Sequence, residues 1–437
     1  MTTGAIQGLT SKRCQPLSFE FERTIYACNT LSLYFSRVFW YASDMKINTD
    51  GAKIREILER GVEDVIVREH LEAALKSGKQ LRVKFGIDPT GPKIHLGRAI
   101  PLRKLKAFQE LGHKIVLIIG DFTATIGDPS DKLAKRPTLA KADIEENMKT
   151  YAKQLAKILD MEKVELYYNS EWLEKLRFTE ISTLADCFSL QQMAARRNFK
   201  DRIDKGEDVS MREMLYPLMQ GYDSVEVKAD VEIGGFDQLF NVKAGRVIQK
   251  QYGQPEQDIL TTQMLEGSDG RKMSTSWGNV ITIVDEPNDM FGKILSIKDE
   301  LILKYLWLCT DMTQDELDNY QKRLEKGANP KDIKMELGKK IVALYHSGED
   351  AKKAADDFEK KFSKKESSME MKEVTFPGGS LKAVLVMCDM SGSAAVRLVE
   401  GGSVSVNGTV VTDWNKEVKA GDIIQFGKKK ETIKLAS

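Results

Sequence analysis

The segment between residues 81 and 111 constrains the fold more than any other feature, because a strand, a glycine turn and a helix start follow one another there. Leu81 to Phe85 has apolar residues at alternate positions, which predicts a strand, and Gly86 follows it directly. Apolar residues from Ala99 to Leu111 recur at helical spacing, so His95 to Gly97 is predicted to open a helix. The free N–H groups and the dipole of a first helical turn favour an anion. The segment therefore predicts a phosphate site at the end of a strand.

A second segment, Lys272 to Ser276, follows about 170 residues later on a loop rich in glycine and serine. Lys272 supplies a cation, His95 supplies a donor with a tunable charge, and Gly97 leaves room for a nucleotide against the helix backbone. Neither segment is specific alone, because a histidine before a helix is more often a cap or a core residue and a lysine in a loop is usually at the surface. In this order and spacing, the pair predicts an enzyme that handles ATP.

Composition narrows the class of protein further. A chain of 437 residues accommodates two to four domains. Its formal charge of +1 argues against indiscriminate coating of nucleic acid, so any contact with RNA must come from local patches. The five cysteines are scattered and odd in number, without paired spacing, which predicts neither a disulfide framework nor a zinc site and favours a reducing cytosol. No stretch is long enough to span a membrane.

The first 44 residues differ from the rest, because Phe19 to Tyr41 is rich in aromatic residues and lacks clear periodicity. Two interpretations stay open: an extension upstream of a true start at Met45, or a weak organelle-targeting segment. We favour the first, because the resemblance to a known family that is described below begins at about Lys46.

An α/β alternation follows, which is typical of a Rossmann-like, doubly wound parallel sheet. Helices are predicted between Gly51 and Lys76, and the further predicted elements are strand Lys114 to Gly120, helix Lys141 to Leu159, strand Lys163 to Tyr168, helix Leu184 to Phe199 and strand Ala229 to Ile233. Gly234 and Gly235 end the last strand, where such sheets bind ligands. We expect the catalytic domain to cover residues 45–285.

The remaining chain divides into three predicted parts: a small helical domain (286–365), a polar linker (366–379) and a C-terminal α+β unit (380–437). The helical domain is predicted from Leu301 to Leu308, Thr313 to Leu324 and Asp332 to Tyr345. The C-terminal unit combines two helices with strands at 404–406, 409–412 and 423–426, joined by glycine turns.

The segment around His95 and the segment Lys272 to Ser276 resemble the HIGH and KMSKS signatures of class I aminoacyl-tRNA synthetases. Three further stretches, at 118–130, 216–224 and 234–238, resemble the tyrosyl branch of that family, and the resemblance covers roughly residues 46 to 437. The C-terminal unit resembles the S-four RNA-binding module. The resemblance implies a bacterial-type enzyme that activates tyrosine with ATP and then charges tRNA(Tyr). Mg²⁺ would be bound to the ATP phosphates, without a protein metal site. The enzyme would form a homodimer through an insertion in the catalytic domain and would work in the cytoplasm.

The resemblance also implies roles for individual residues. His95, Arg98, Lys272 and Thr275 would serve catalysis. Tyrosine would be bound by Tyr216, Gln220, Asp223, Thr123, Asp128 and Gln238, with Asp223 receiving the phenol hydroxyl. ATP would be bound by Gly86, Asp88, His95, Gly97, Gly234, Asp237, Lys272 and Ser274. RNA would meet Lys382, Arg397, Lys428, Lys429 and Lys430 in the C-terminal unit, although these cations could also serve only solubility. Without the family, Asp128 would be interpreted as a turn residue.

Four positions depart from the family pattern. Arg98 replaces the last residue of the HIGH signature, and Thr275 replaces the second lysine of the KMSKS signature. Phe236 stands where a small hydroxyl residue is usual, and Lys84 stands where tyrosine is frequent. We hypothesise that the charge of Arg98 offsets the charge lost at Thr275. A tryptophanyl enzyme and a noncatalytic RNA-binding relative remain the alternatives. A basic run, Arg196 to Lys205, either faces tRNA or is a solvated helix end.

Overall fold

The computed structural model describes residues 46–131, 141–367, 372–376, 378–388, 390–427 and 431–436. From Ile47 onward the chain forms one compact unit. The N-terminal segment discussed above and the predicted RNA-binding residues Lys428 to Lys430 lie outside the described residues.

A six-stranded sheet forms the first part of the fold, in the order β1-β6-β5-β2-β3-β4. Its strands are β1 (Val62–Ile66), β2 (Arg82–Ile87), β3 (Lys114–Ile119), β4 (Val164–Tyr168), β5 (Val231–Gly235) and β6 (Asp258–Thr262). Strand β1 runs antiparallel to β6, and all other neighbours are parallel. Residues 115–119 of β3 are all buried, as expected for a strand covered on both faces. The predicted doubly wound α/β core is confirmed.

The strand order reverses direction between β2 and β5. From β2 the chain proceeds to β3 and β4 on one side, whereas β5 and β6 lie on the other side. The carboxyl ends of β2 and β5 thus flank the crevice where sheets of this type bind ligands. The strand ends at Ile87 and Gly235 place both predicted glycine turns at that crevice.

Helices cover this sheet and continue the chain between its strands. They are α1 (Gly51–Glu59), α2 (Arg68–Lys76), α3 (Leu96–Glu110), α4 (Asp121–Ile126), α5 (Lys141–Leu155), α6 (Ser170–Leu173), α7 (Phe178–Ala185), α8 (Leu190–Ala194), α9 (Arg197–Asp204), α10 (Met211–Glu226) and α11 (Leu239–Gln251). The single helix predicted from Leu184 to Phe199 is wrong. Ser189 starts a new helix there, because its side chain accepts from the backbone of Gln192 in a reciprocal capping box.

A helical part follows the sheet, with α12 (Pro287–Leu295), α13 (Ile302–Cys309), α14 (Gln314–Glu325), α15 (Pro330–Tyr345) and α16 (Gly348–Ser367). Its buried side chains belong to the same hydrophobic core as those of the sheet, which extends from Ile54 to Ala355. The predicted boundary at residue 285 therefore does not separate two cores. Close approach joins α12 and α15, since a Cβ at Gly338 would lie 2.8 Å from the ring of Phe291.

The predicted linker at 366–379 is wrong in part. Helix α16 continues to Ser367, and β7 (Lys372–Thr375) pairs in parallel with the last strand of the C-terminal sheet. A polar composition predicted a linker, but amphipathic charged residues also build exposed helices.

The C-terminal unit has its own core and two helices, α17 (Leu381–Met387) and α18 (Gly392–Glu400). Its further strands are β8 (Gly379–Ser380), β9 (Val404–Val406), β10 (Thr409–Val410), β11 (Glu417–Val418), β12 (Ile423–Phe426) and β13 (Glu431–Ala436). They form a five-stranded sheet in the order β10-β9-β12-β13-β7 and a β11-β8 pair. Asn407 and Gly408 make the tight turn between β9 and β10 with positive φ angles, as the sequence predicts.

Among the described helices, none is both long and apolar enough to cross a bilayer.

Candidate active site

A cavity of about 350 Å³ lies at the carboxyl ends of β2 and β5. Every residue that the sequence assigned to catalysis, to tyrosine or to ATP lines it: Gly86, Asp88, His95, Gly97, Arg98, Thr123, Asp128, Tyr216, Gln220, Asp223, Gly234, Asp237, Gln238, Lys272, Ser274 and Thr275. The strand order explains part of the convergence, because the segments of Asp88, Thr123 and Asp237 follow β2, β3 and β5, which are neighbours in the sheet.

Backbone pairing joins the first signature segment to residues 281–283, which follow the second signature segment along the chain. The amide of Leu96 donates to the carbonyl of Ile281 at 2.8 Å, and Ile283 donates to Ile94 at 2.9 Å. Met273 anchors the second segment in the core, because its side chain is buried. A Cβ at Gly97 would lie 3.1 Å from the His95 ring, so a larger residue here would push the ring by a few tenths of an ångström.

His95 is the N-cap of α3, and its Nδ1 accepts from the backbone N–H of Arg98 at 3.3 Å. Burial lowers the pKa of His95 to about 3, and the positive charges of Arg98 and Lys272 act in the same direction. The ring is therefore neutral at physiological pH and carries its proton on Nε2. The sequence predicted a donor of tunable charge, whereas the structure places a fixed neutral donor in the cavity.

Lys272 Nζ lies 2.9 Å from Asp237 Oδ2, so the second signature contacts the turn after β5. Asn279 organises the loop around Lys272. Its Nδ2 donates to the Lys272 carbonyl at 3.1 Å and to Asp269 at 2.8 Å, and its Oδ1 accepts from the amide of Ser274. The loop thus holds the ammonium group at the cavity wall.

Arg98 is bound to the turn that follows β2. Its guanidinium donates to the Asp88 carbonyl at 3.3 Å, to Thr90 Oγ1 at 2.8 Å and to the Tyr151 hydroxyl at 3.1 Å. These contacts clamp the turn beside the first signature. Thr275, the other departure, is exposed and lies against the same turn, since a Cβ at Gly91 would lie 3.3 Å from Thr275 Cγ2.

Helix α5 supports the same turn through one of its faces. Asn147, Tyr151 and Gln154 donate to carbonyl groups of the turn 89–94 at 2.9, 3.0 and 2.7 Å. Their spacing of four and three residues places them on one side of the helix. This support escaped the sequence analysis, because helical periodicity there reports only burial.

Asp88 connects three elements of the cavity. Its Oδ1 accepts from Thr123 Oγ1 and its Oδ2 from the Tyr216 hydroxyl, each at 2.7 Å. Burial raises the pKa of Asp88 to about 6, although both hydrogen bonds lower it. A Cβ at Gly120 would lie 2.0 Å from Asp88 Oδ1, so only glycine leaves room for this carboxyl group.

Asp223 is a second buried carboxyl group, on α10. It accepts from Trp172 Nε1 at 2.8 Å and from Asn169 Nδ2 at 3.4 Å. Burial raises the pKa of Asp223 to about 7, against the opposing charge of Lys84. Trp172 and Asn169 come from the segment after β4, and the sequence analysis missed both.

Asp128 and Gln238 meet at the other side of the cavity, where Gln238 Nε2 donates to Asp128 Oδ2 at 2.6 Å. Asn241 donates to Gln238 Oε1 at 3.0 Å and accepts from Arg196. Arg196 is buried against the ring of Phe240, and burial lowers its pKa to about 10.

The family model described as tRNA synthetases class I (W and Y) matches residues 76–363, well over half of the chain. The chain belongs to this family. Tyrosine–tRNA ligase of Thermotoga maritima is 44% identical over 382 residues, covering 86% of this chain and 95% of that protein. Tyrosine–tRNA ligase 2 of Clostridium acetobutylicum is also 44% identical, over 385 residues, with coverages of 86% and 96%.

Solved structures of synthetases share the fold. A C-terminally truncated mitochondrial tyrosyl-tRNA synthetase of Aspergillus nidulans superimposes with a TM-score of 0.58 at 22% identity, covering 70% of this chain and 93% of that one. Tyrosyl-tRNA synthetase of Archaeoglobus fulgidus, solved with L-tyrosine, gives 0.56 at 24% identity, with coverages of 70% and 99%.

The C-terminal part of this synthetase carries a second family match, the S4 domain, at residues 391–424. The predicted RNA-binding residue Arg397 is exposed on α18. The ammonium group of Lys382 lies 5.0 Å from the centre of the Trp414 ring, within the range of a cation–π contact.

The basic run of the synthetase near α9 divides into two groups. Arg196 and Arg202 are buried, and Arg202 forms an ion pair with Glu213 at 2.8 Å. Arg197, Lys200 and Lys205 are exposed. The hypothesis that the whole run faces tRNA is wrong for the two buried arginines, whose guanidinium groups contact Asn241 and Glu213 inside the protein.

Within the described part of the synthetase, no group of three or more His, Cys, Asp or Glu side chains is arranged to hold a metal ion. The cavity instead presents cationic and neutral donors, His95 and Lys272, to an anion.

Proposed function

We propose that the chain is a tyrosine–tRNA ligase, which activates L-tyrosine with ATP to tyrosyl-adenylate and pyrophosphate and then transfers tyrosine to the 3′ end of tRNA(Tyr). The observation that carries this proposal is Asp223, a carboxyl group buried at the wall of a cavity that also holds both signature segments. Family membership and the 44% identity with tyrosine–tRNA ligases support it.

Asp223 distinguishes tyrosine from phenylalanine and tryptophan by its unused acceptor capacity. Trp172 and Asn169 each supply one donor to this carboxyl group, and ionised carboxylates accept about four hydrogen bonds. A phenol hydroxyl supplies a further donor. Phenylalanine would leave the acceptor desolvated and unpaired, which carries a larger penalty than a missing methylene group.

The first reaction requires no covalent bond to the enzyme. A carboxylate oxygen of tyrosine forms a bond to the α-phosphorus of ATP, the bond from that phosphorus to the β,γ-pyrophosphate breaks, and pyrophosphate leaves with the electron pair. Catalysis then consists of alignment and of charge stabilisation.

His95 and Lys272 supply the charge stabilisation. The neutral His95 ring directs an Nε2–H donor at an oxyanion, and it does so without taking up a proton. Lys272 exchanges its contact with Asp237 for a phosphate oxygen, which the proximity of 2.9 Å and the partial exposure of Lys272 allow. The N-terminus of α3 adds the positive end of its helix dipole, although the amides of Leu96 and Arg98 already donate to Ile281 and His95.

Magnesium enters this proposal as part of the substrate, bound to the ATP phosphates. In the second step a ribose hydroxyl of tRNA(Tyr) attacks the tyrosyl carbonyl carbon, and AMP leaves. The S4 domain supplies an RNA contact through Arg397 and Lys382. We place the enzyme in the cytoplasm, in keeping with Cys187, Cys309 and Cys388, which are unpaired in the described part of the chain.

We also propose that the protein forms a homodimer through the segment from α7 to the start of α10. Phe178, Leu190 and Met211 are 83%, 62% and 65% exposed on α7, α8 and the start of α10. Such large apolar side chains in one segment mark an interaction surface. The Phe178→Glu substitution should shift the protein from dimer toward monomer, which analytical sedimentation would measure. An unchanged dimer would place the interface elsewhere.

Aminoacylation tests the proposed function as a whole. The purified protein should attach radiolabelled tyrosine to transcribed tRNA(Tyr) and leave transcribed tRNA(Trp) uncharged with either amino acid. Charging of tRNA(Trp) with tryptophan would replace the proposal by the tryptophanyl alternative. The Asp223→Asn variant serves as the control, because it should lose tyrosine charging while keeping the fold.

A further inference from the structure

A buried ion pair lies beneath the helix that carries the tyrosine residues. Lys84 on β2 and Glu232 on β5 are paired directly across the two parallel strands. Lys84 Nζ lies 3.0 Å from Glu232 Oε1, and the side chains are only 0% and 1% exposed. Removing two charges from water is costly, and an apolar pair at these positions would often be as stable. Stability alone therefore gives no reason for these two residues.

Lys84 uses all three of its ammonium donors. Besides Glu232, it donates to the Gln220 carbonyl at 2.8 Å and to Ser224 Oγ at 2.7 Å. Both acceptors belong to one turn of α10, the turn that also contains Asp223. The ammonium group fixes this turn to the centre of the sheet.

Glu232 accepts from every side around it. Gln220 Nε2 donates to its Oε1 at 3.1 Å, Ser224 Oγ donates to its Oε2 at 3.2 Å, and Gln257 Nε2 also donates to Oε2. An ionised carboxylate can only accept, so the nitrogen of the Gln220 amide must face Glu232. The amide oxygen of Gln220 then points away from the carboxylate.

Gln220 itself lines the cavity. Its orientation therefore decides whether it offers the substrate a donor or an acceptor. Glu232 occupies one N–H of this amide and fixes the nitrogen on its own side, so the oxygen on the other side is available as an acceptor. Asp223 already serves the phenol end, whereas the amino acid's ammonium group, with three donors, needs oxygen acceptors at the other end.

We propose that Glu232, with its charge balanced by Lys84, is a positioning residue that orients Gln220 so that the Gln220 amide oxygen accepts a hydrogen bond from the ammonium group of bound tyrosine. The proposal rests on the proposed function and deepens it, because it identifies which group of the substrate depends on the buried pair. Glu232 does not touch the substrate and acts only through Gln220.

The test removes both charges at once, since a single substitution would leave an unpaired buried charge. In the Lys84→Met/Glu232→Gln variant the Gln220 amide is free to turn over. Two constants are measured: the KM for tyrosine in ATP–pyrophosphate exchange, and the inhibition constant of 3-(4-hydroxyphenyl)propionate, which keeps the phenol and carboxylate but lacks the ammonium group.

We expect the KM for tyrosine to rise about 10- to 100-fold, the range for one hydrogen bond to a charged group, while the inhibition constant of the propionate changes less than about twofold. Equal losses for both compounds, or no loss for tyrosine, would overturn the proposal. Absence of tyrosine exchange by the wild-type protein would instead refute the proposed function and, with it, this inference.

A matched control is another buried ion pair with one member on the same helix. Glu213 at the start of α10 is 8% exposed and its partner Arg202 on α9 is 3% exposed, and both lie outside the cavity lining. The Arg202→Met/Glu213→Gln variant should change thermal stability, but the KM for tyrosine should not rise more than the inhibition constant of the propionate. A similar separation in this control would count against a specific role of Glu232.

Gln220→Met keeps the proposal testable if the double variant fails to fold, because it leaves the buried charges in place. Gln220→Met should raise the KM for tyrosine and leave the inhibition constant of the propionate nearly unchanged. Combining it with the Lys84→Met/Glu232→Gln substitutions should give no further loss, since a residue that acts through Gln220 has nothing left to orient. Additive losses would contradict the proposed route.

Discussion

The hydroxyl of Tyr216 donates a hydrogen bond to Asp88 Oδ2 at 2.7 Å, and this contact joins the tyrosine helix α10 to the end of β2 beside the first signature. Asp88 also accepts from Thr123 at the same distance. Residues predicted for ATP and residues predicted for tyrosine thus share one hydrogen-bonded network. Alignment of two substrates requires such a rigid connection between their sites.

The pKa of Asp223 predicts a pH dependence. Burial raises it to about 7, and the ionised form is the better acceptor for a phenol. In the free enzyme, kcat/KM for tyrosine at saturating ATP should rise with pH and level off above about 7. Exchange rates between pH 5.5 and 8.5 check this expectation, and a flat profile would contradict it.

The same carboxyl group predicts an opposite trend for stability. Between about pH 4, where an unfolded Asp titrates, and pH 7, the folded state binds the additional proton. The contribution of Asp223 to stability is therefore complete below pH 4 and is lost as pH rises through 7. Thermal denaturation of Asp223→Asn should show a smaller decline over this range than the wild type.

Lys272 should contribute to the transition state more than to binding. Lys272→Ala is expected to lower kcat for exchange by about 10² to 10³, the effect of removing one charge-stabilising donor, with KM for tyrosine changed less than about twofold. Lys298→Ala is the control, because Lys298 is exposed near the same loop. A Lys272→Ala variant with normal kcat would exclude it from phosphate stabilisation.

The Tyr151 hydroxyl should matter for ATP and not for tyrosine. It donates to Gly91 at 3.0 Å and accepts from Arg98, so Tyr151→Phe loosens the turn beside the first signature. Each lost hydrogen bond corresponds to about 1 kcal/mol, which predicts a KM for ATP raised roughly 5- to 30-fold. Steady-state kinetics with Tyr168→Phe on β4 as control would show whether the effect is local. An equal rise in KM for tyrosine would argue for general misfolding.

Loss of the Arg397 side chain should lower the affinity for tRNA and leave the rate of adenylate formation unchanged. It is exposed on α18 of the S4 domain, where a phosphate contact is predicted. Arg397→Ala should weaken tRNA binding and reduce the slope of log affinity against log salt by about one. Filter binding at several salt concentrations measures that slope. A normal slope would mean that Arg397 serves solubility alone.

Residues at the ends of predicted strands were the most predictable part of the site. Strand ends of one parallel sheet meet at one edge, so Gly86 and Gly234 could be placed together without coordinates. The spacing of Tyr216, Gln220 and Asp223 likewise predicted one helical face, and all three line the cavity.

The partners of these residues could not be predicted in the same way. Trp172 and Glu232 contact α10 only after the sheet has assembled, and no periodicity indicates such long-range contacts. Strand β1 was missed because its acidic residues interrupt the apolar alternation. Arg196 was interpreted as a surface charge, whereas two phenylalanine rings bury it. Composition cannot show on which side of a helix a long cationic side chain ends.

The most direct measurement is ATP–pyrophosphate exchange by the full chain with tyrosine, tryptophan or phenylalanine as the only amino acid. We predict exchange with tyrosine alone, because the buried acceptor Asp223 requires a phenol donor. Exchange with tryptophan would contradict the assigned substrate. No exchange with any of the three, from protein shown to be folded by circular dichroism, would contradict the assignment as an active ligase and favour a noncatalytic RNA-binding relative.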